Sequence, residues 1–171
     1  MKKALVVYFS HAGENYNVGE VTVGNTELLA KEIASQCGAD EFKIVPKVAY
    51  PKGYSEAVEV ATEELNDEAR PEYEGEVDIT PYDTIFLGYP IWWGDLPMVV
   101  YTFLEAHDFA GKTVIPFNTH EGSGNAGTYS RIEELLPEAK VAGGGFNMNG
   151  KIARTEEGKA LLGKWLESLA Q

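Results

Sequence analysis

Apolar runs and apolar stripes alternate along the chain. Ala4–Phe9 is an unbroken apolar run of strand length, the pattern of a strand covered on both faces. Thr26–Cys37 instead places Leu29, Ala30, Ile33, Ala34 and Cys37 at helical spacing and stops at Gly38. The alternation continues. A short strand is predicted over Glu41–Val45, before Pro46, then a helix over Ser55–Glu68 with Ala57, Val58, Ala61 and Leu65 on one face. An apolar strand follows over Asp83–Leu87, then a helix beginning near Pro97 that carries Met98, Tyr101, Thr102, Leu104 and Glu105. Thr113–Phe117 is a strand; Tyr129, Ile132, Leu135 and Leu136 mark a helix ending at Pro137. Lys140–Ala142 is a short strand running into Gly143-Gly144-Gly145. Thr155 caps a last helix with Glu156 and Glu157 in its first turn and Leu161, Leu162, Trp165, Leu166 and Leu169 on its apolar face. Strands alternating with helices predict a single α/β domain over residues 1–171, with a parallel sheet and helices on both faces. In such open sheets ligands bind beyond the carboxyl ends of the strands, where strand order reverses. The loops after the first, third and fourth strands are therefore the informative ones.

Composition narrows the partners. Hydrophobic content of 44% and charged content of 24% are those of a globular protein. The formal net charge of −13 is not ordinary. It repels nucleic-acid backbones and anionic lipid, and would attract a basic partner or simply keep the protein soluble. Carboxylates crowd Glu56–Asp78, with Arg70 the lone cation, as on a solvated helix face and its following loop. Cys37 is the single cysteine, so no intrachain disulfide forms. Its place on an apolar helix face is that of a small buried hydrophobe. The start, MKKALVVYFS, imitates a signal peptide, but its apolar stretch is short and has no small-residue cleavage site, so it reads as a strand. No run approaches membrane-spanning length. A cytoplasmic protein is expected.

The first loop, Ser10 to Asn25, is dotted with Gly13, Gly19 and Gly24 and leads into the helix at Thr26. Ser10 and Asn25-Thr26 offer hydroxyls and backbone N–H groups at a helix N-terminus, a natural anion site. No Lys or Arg lies between Ser10 and Lys31, so an anion would be held by neutral donors and the helix dipole. Plain capping by Asn25 or Thr26 is the alternative. The second loop reads GYPIWWGD, Gly88 to Asp95. Its adjacent tryptophans are either a platform for a flat ligand or ordinary core and lid residues. The third, Asn118 to Asn125, reads NTHEGSGN, small and polar enough for its backbone to approach a ligand edge. Neutral phosphate donors, a stacking surface and a backbone-rich edge suit a phosphorylated flat heterocycle.

At this point the chain resembles the flavodoxin family over nearly its full length. Ser10-His11-Ala12 matches the front, and Gly24-Asn25-Thr26 the back, of that family's Ser/Thr-x-Thr-Gly-Asn-Thr phosphate loop, separated by an insertion over Gly13–Val23. Trp93-Gly94-Asp95 matches the Trp-Gly-Asp of some members. The resemblance implies a flavodoxin-like three-layer α/β/α fold, with a five-stranded parallel sheet in the order 2-1-3-4-5, and FMN as cofactor. It implies FMN contacts from Ser10, His11, Ala12, Asn25 and Thr26, from Pro90, Ile91, Trp92, Trp93 and Gly94, and from Thr119, His120, Glu121, Gly122, Ser123 and Gly124. In the family the Trp stacks on the isoalloxazine and the Gly lets the peptide flip as flavin N5 gains a proton. The third loop here lacks the outer stacking Tyr of many members, which leaves that flavin face open or covered by insertion residues such as Tyr16.

The implied function is an electron-transfer oxidoreductase that shuttles single electrons at low potential to redox partner proteins with a basic docking surface. The alternative is an NAD(P)H-dependent quinone, flavin or nitro-compound reductase on the same fold. A regulatory domain without cofactor is a third possibility. Other motifs fall away. Glu121 and Asn125 stand where a nucleophile elbow around Ser123 needs glycine. Ala106 replaces the leading glycine of a P-loop ending at Gly111-Lys112-Thr113. His11, His107 and His120 have no metal-ligand spacing.

Overall fold

The computed structural model describes residues 3–142 and 144–170; Met1 and Lys2 of the basic start, Gly143 of the glycine run, and Gln171 lie outside them. In chain order the elements are β1 (Ala4–Tyr8), β2 (Gly13–Asn15), β3 (Gly19–Val21), α1 (Asn25–Cys37), β4 (Asp40–Lys43), α2 (Tyr54–Asn66), β5 (Thr84–Pro90), α3 (Met98–Ala106), β6 (Thr113–His120), α4 (Thr128–Leu135), β7 (Lys140–Val141), β8 (Phe146–Asn149), α5 (Gly150–Ala153) and α6 (Glu156–Leu169).

The central sheet runs β4-β1-β5-β6-β7, with β8 also paired to β6, and all of its pairings are parallel. Counting β7 and β8 as one position gives the expected order 2-1-3-4-5. Strand periodicity divides the core in two. Leu5, Val7 and Phe9, with Ile85, Leu87 and Tyr89, face one side and pack under Val99, Phe103 and Ile132 of α3 and α4. Val6, Tyr8, Phe86, Ile115 and Phe117 face the other and pack under Leu29, Ile33, Leu162 and Leu166 of α1 and α6. Successive residues point to opposite faces, so an unbroken apolar strand requires a helical layer on each side. Burial of a Leu, Ile or Phe side chain contributes about 1.5–3 kcal/mol.

The structure refines the expected elements in several places. The fifth strand is two pieces rather than Lys140–Ala142 alone, and β8 resumes beside the far end of β6. Gly145 sits between the pieces with φ +69, and a Cβ there would overlap the Tyr129 ring. The Gly13–Val23 insertion folds back as an antiparallel hairpin, β2–β3. Its strands are three residues each, without an apolar period to announce them. Strands β5 and β6 run on to Pro90 and His120, so the first residues expected in the second and third loops are strand ends. Thr155 caps α6 as expected, accepting from the Gly158 N–H at 3.1 Å. Cys37 is half-buried, and burial pushes its thiol pKa up. No described helix is long and apolar enough to cross a membrane.

Gly88 of β5 lies opposite Phe117 of β6, and a Cβ there would overlap the Phe117 ring. Gly88→Ala is expected to destabilise the fold by about 1–3 kcal/mol, read as a lower urea midpoint with an unchanged slope; an unaltered midpoint would show that the ring can move aside.

Candidate functional site

A cleft of about 290 Å³ opens beyond the carboxyl ends of β1, β5 and β6. Of the sixteen residues expected at a site, it is lined by Ser10, His11, Asn25, Thr26, Pro90, Ile91, Trp92, Trp93, Gly94, Thr119, His120, Glu121 and Ser123. Ala12, Gly122 and Gly124 do not line it. Seven further residues line it: Glu14, Asn15 and Tyr16 of the insertion, the segment that held Tyr16 as a candidate cover, and Tyr54, Ala57, Val58 and Ala61, which were not expected. They come from the insertion hairpin and from α2. The apolar stripe on Ser55–Glu68 signalled a packed face but not what it would face.

The inner end of the cleft is the start of α1. Neither Asn25 nor Thr26 caps that helix; Gly24 occupies the N-cap without a side-chain bond. The Ser10 hydroxyl instead accepts from the Glu27 N–H at 3.0 Å. A Cβ on Gly24 would overlap Ser10 Oγ, so the loop closes on the helix only because glycine is there. Thr26 is buried, and its hydroxyl pairs with that of Thr119 at 2.8 Å, joining the first loop to the end of β6. Asn25 is held from outside: its Oδ1 accepts from Arg154 Nη1 at 2.9 Å, and the same nitrogen donates to the Val23 carbonyl at 3.0 Å. Among the described residues lining the cleft there is no Lys or Arg. Its inner end thus offers hydroxyls and a helix N-terminus, with the partial positive charge of aligned peptide dipoles.

The two tryptophans have different roles. Trp92 is half-buried and meets Phe9 and Tyr50 edge-on, with centroids 5.2 and 4.9 Å away. The Tyr50 hydroxyl donates to Glu64 at 2.5 Å, fixing this cluster to α2. Trp93 is 58% exposed and has φ +53. The Trp92 and Asp95 backbones exchange hydrogen bonds at 3.0 and 3.1 Å, and Trp93 and Gly94 (φ +71) form the turn between them. Two successive positive φ values are those of a type I′ turn, which selects Asn or Gly. A tryptophan in this region costs about 1–2 kcal/mol. Asp95 holds the turn in place: its Oδ1 accepts from the Leu96 N–H and the Tyr101 hydroxyl, both at 2.7 Å, and Tyr101 in turn accepts from Arg131 Nε at 3.1 Å.

At the third loop, His120 Nδ1 accepts from the Gly122 N–H at 2.9 Å, which places the ring proton on Nε2. Burial pushes the His120 pKa down, partly offset by a hydrogen bond with Asn147. Glu121 has one buried oxygen, Oε2, without a hydrogen-bond partner. Burial raises its pKa, against the opposing pull of Lys151 and the Gly150 N–H. Among the described residues no group of His, Cys, Asp and Glu could hold a metal ion.

Comparisons with known proteins bear on the family and the fold. The family model described as Flavodoxin matches residues 3–169. No curated protein matches the chain. Among solved structures, a protein designated a flavoprotein from Bacteroides eggerthii is 28% identical, covering 100% of this chain and 99% of its own, with a TM-score of 0.77. One from Bacteroides uniformis is 27% identical over 97% and 98%, with a TM-score of 0.78. A flavoprotein from Lactobacillus acidophilus, solved in complex with FMN, shares the fold at 21% identity over 96% and 99%, with a TM-score of 0.68.

Two outcomes are expected. Trp93→Gly relieves the turn and should leave stability unchanged or raise it by up to about 1 kcal/mol; a lower melting temperature would show that the exposed ring packs more than it strains. His120 has a folded pKa below its unfolded value of about 6.5. Its contribution is therefore complete above that value and lost as pH falls through the folded pKa. Urea midpoints between pH 7.5 and 5.5 should fall more steeply for the wild type than for His120→Gln, and parallel curves would exclude the effect.

Proposed function

The chain belongs to the flavodoxin family, and from that premise we propose that it binds FMN in the cleft and carries electrons between redox partners. The observation that supports this reading best is Trp93. A large aromatic ring stands exposed, on a turn that disfavours it, at the mouth of a cleft whose inner end suits an anion. Strain of this kind persists where function needs it.

The donor set fits the cofactor. Hydroxyls of Ser10 and Thr26 and the first turn of α1 would hold the phosphate. Glu121 lines the cleft, and its carboxylate would be an acceptor for the hydroxyl donors of a ribityl chain. Trp93 would stack on the ring, and the polar third loop would meet its pyrimidine edge. When bound, the flavin supplies electron storage and transfer; the protein sets its orientation and electrostatics. Three features of this chain oppose added negative charge on the ring. The net charge is −13. No described lining residue is Lys or Arg. His120 is held toward its neutral form. Together they favour electron transfer at low potential and one electron at a time. The acidic stretch Glu56–Asp78 suits docking to partners with a basic surface, and the reading is of a cytoplasmic carrier.

The alternative, an NAD(P)H-dependent reductase, draws on the cleft's extension to α2, which leaves space beside the ring. Purified protein should take up one FMN and show the absorption of an oxidised flavin; a protein that stays colourless after FMN is added would refute the proposal. Redox titration should give two separate one-electron steps, and NADH or NADPH should not bleach the flavin directly. Trp93→Ala should weaken FMN binding about tenfold and shift both steps; unchanged binding and potentials would make Trp93 a bystander.

A further inference from the structure

A chain with a net charge of −13 offers every cation a choice of carboxylates. Two of its arginines take one: Arg70 pairs with Glu105 at 2.9 Å and Arg131 with Glu134 at 3.4 Å. Arg154 differs. Among the described residues its partners are neutral groups, the Val23 carbonyl at 3.0 Å and Asn25 Oδ1 at 2.9 Å, both accepting from Nη1. No described carboxylate cancels its charge within ion-pair distance. That charge stands beside the first residue of α1, at the end of the cleft that suits an anion.

Asn25 transmits the contact. It is buried and lines the cleft. A carboxamide can offer a ligand either its oxygen or its NH2 group. Arg154 engages the oxygen, so the group left over is a donor. A cationic donor on the oxygen also polarises the amide and strengthens its N–H groups. Two carboxylates at this end are answered by lysines. Glu27, in the first turn of α1, pairs with Lys43 at 2.8 Å. Glu121 feels the charge of Lys151 and accepts from the Gly150 N–H. A Cβ on Gly150 would overlap both Asn25 Nδ2 and Glu121 Oε1, so α5 can back the two side chains only because it begins with glycine.

We infer that Arg154 is a positioning residue for an anionic group at the start of α1. It fixes Asn25 as a donor and supplies positive charge from behind it, so that the cleft selects a phosphorylated flavin over the unphosphorylated one. Neutral hydroxyls and amides accept any ligand group that takes hydrogen bonds. A cation behind them adds a preference for charge without entering the lining of the cleft. Arg154 is exposed, so water and salt screen that preference and make it dependent on ionic strength. The inference deepens the proposed function, and rests on it only for the identity of the ligand.

The test titrates FMN and riboflavin separately into purified, flavin-free protein, read by the change in flavin fluorescence. Riboflavin lacks the phosphate and reports on a loop that has merely lost its brace. Arg154→Gln, which keeps an amide donor and removes the charge, should weaken FMN about tenfold and leave riboflavin within about twofold. Arg154→Lys, which keeps the charge, should hold FMN within about threefold of the wild type. Raising KCl from about 50 to about 500 mM should weaken FMN more in the wild type than in Arg154→Gln. Unchanged FMN affinity in Arg154→Gln, equal loss of FMN and riboflavin, or the same salt dependence in both proteins would overturn the inference. A wild type that binds neither flavin would defeat the proposed function alone. Inorganic phosphate then decides the role of Arg154. The NMR amide signals of Ser10, Thr26 and Glu27 should shift on its addition to the wild type and not to Arg154→Gln; no shift in the wild type, or equal shifts in both, would overturn it.

Discussion

Burial of β1, β5 and β6 between two helical layers is the constraint from which the site follows. With both faces covered, the apolar strands meet solvent only at their ends, and parallel pairing brings all the carboxyl ends to one edge. Side chains just past that edge are free of core packing. They are also positioned to within the precision of the strands that deliver them. Ser10, Ile91 and Glu121 each follow a strand by one or two residues, which is why residues more than a hundred positions apart in the chain share one cleft.

The rigidity below the edge supports unfavourable geometry above it. Trp92 is locked among Phe9, Tyr50 and His11, and Asp95 is tied to Tyr101 and Arg131. Between these anchors the chain has two residues in which to reverse, and both take positive φ. A glycine pair would make the turn at less cost. The anchors allow a tryptophan to occupy it with the ring outward, so packing energy spent on one tryptophan secures the exposure of its neighbour.

The parallel sheet and the three loops were legible in the sequence because they follow from apolar runs alternating with helical stripes; the strand order was implied by the resemblance to the flavodoxin family. So was the tryptophan segment, since two adjacent indoles beside a glycine are hard to accommodate otherwise. The division of labour between Trp92 and Trp93 was only half legible, because it depends on Tyr50 and Phe9 arriving from other elements. The hairpin, β8 and α5 escaped notice; each is too short and too polar for a period to develop. Capping by Asn25 or Thr26 was reasonable local chemistry that lost to tertiary partners, Arg154 for one and Thr119 for the other. The α2 wall could not be foreseen, because an amphipathic stripe states that a face is covered without saying by what.

Arg154 binds the Val23 carbonyl and the Asn25 side chain from a position 131 and 129 residues further along the chain. The strut of that loop is thus synthesised long after the loop itself. A nascent chain can pair β1 with β4 and β5, yet the rim of the first loop stays unbraced until residue 154 has left the ribosome. Closure of that rim therefore waits on a part of the chain made long after the loop itself, and any cofactor that depends on it binds only once Arg154 is in place.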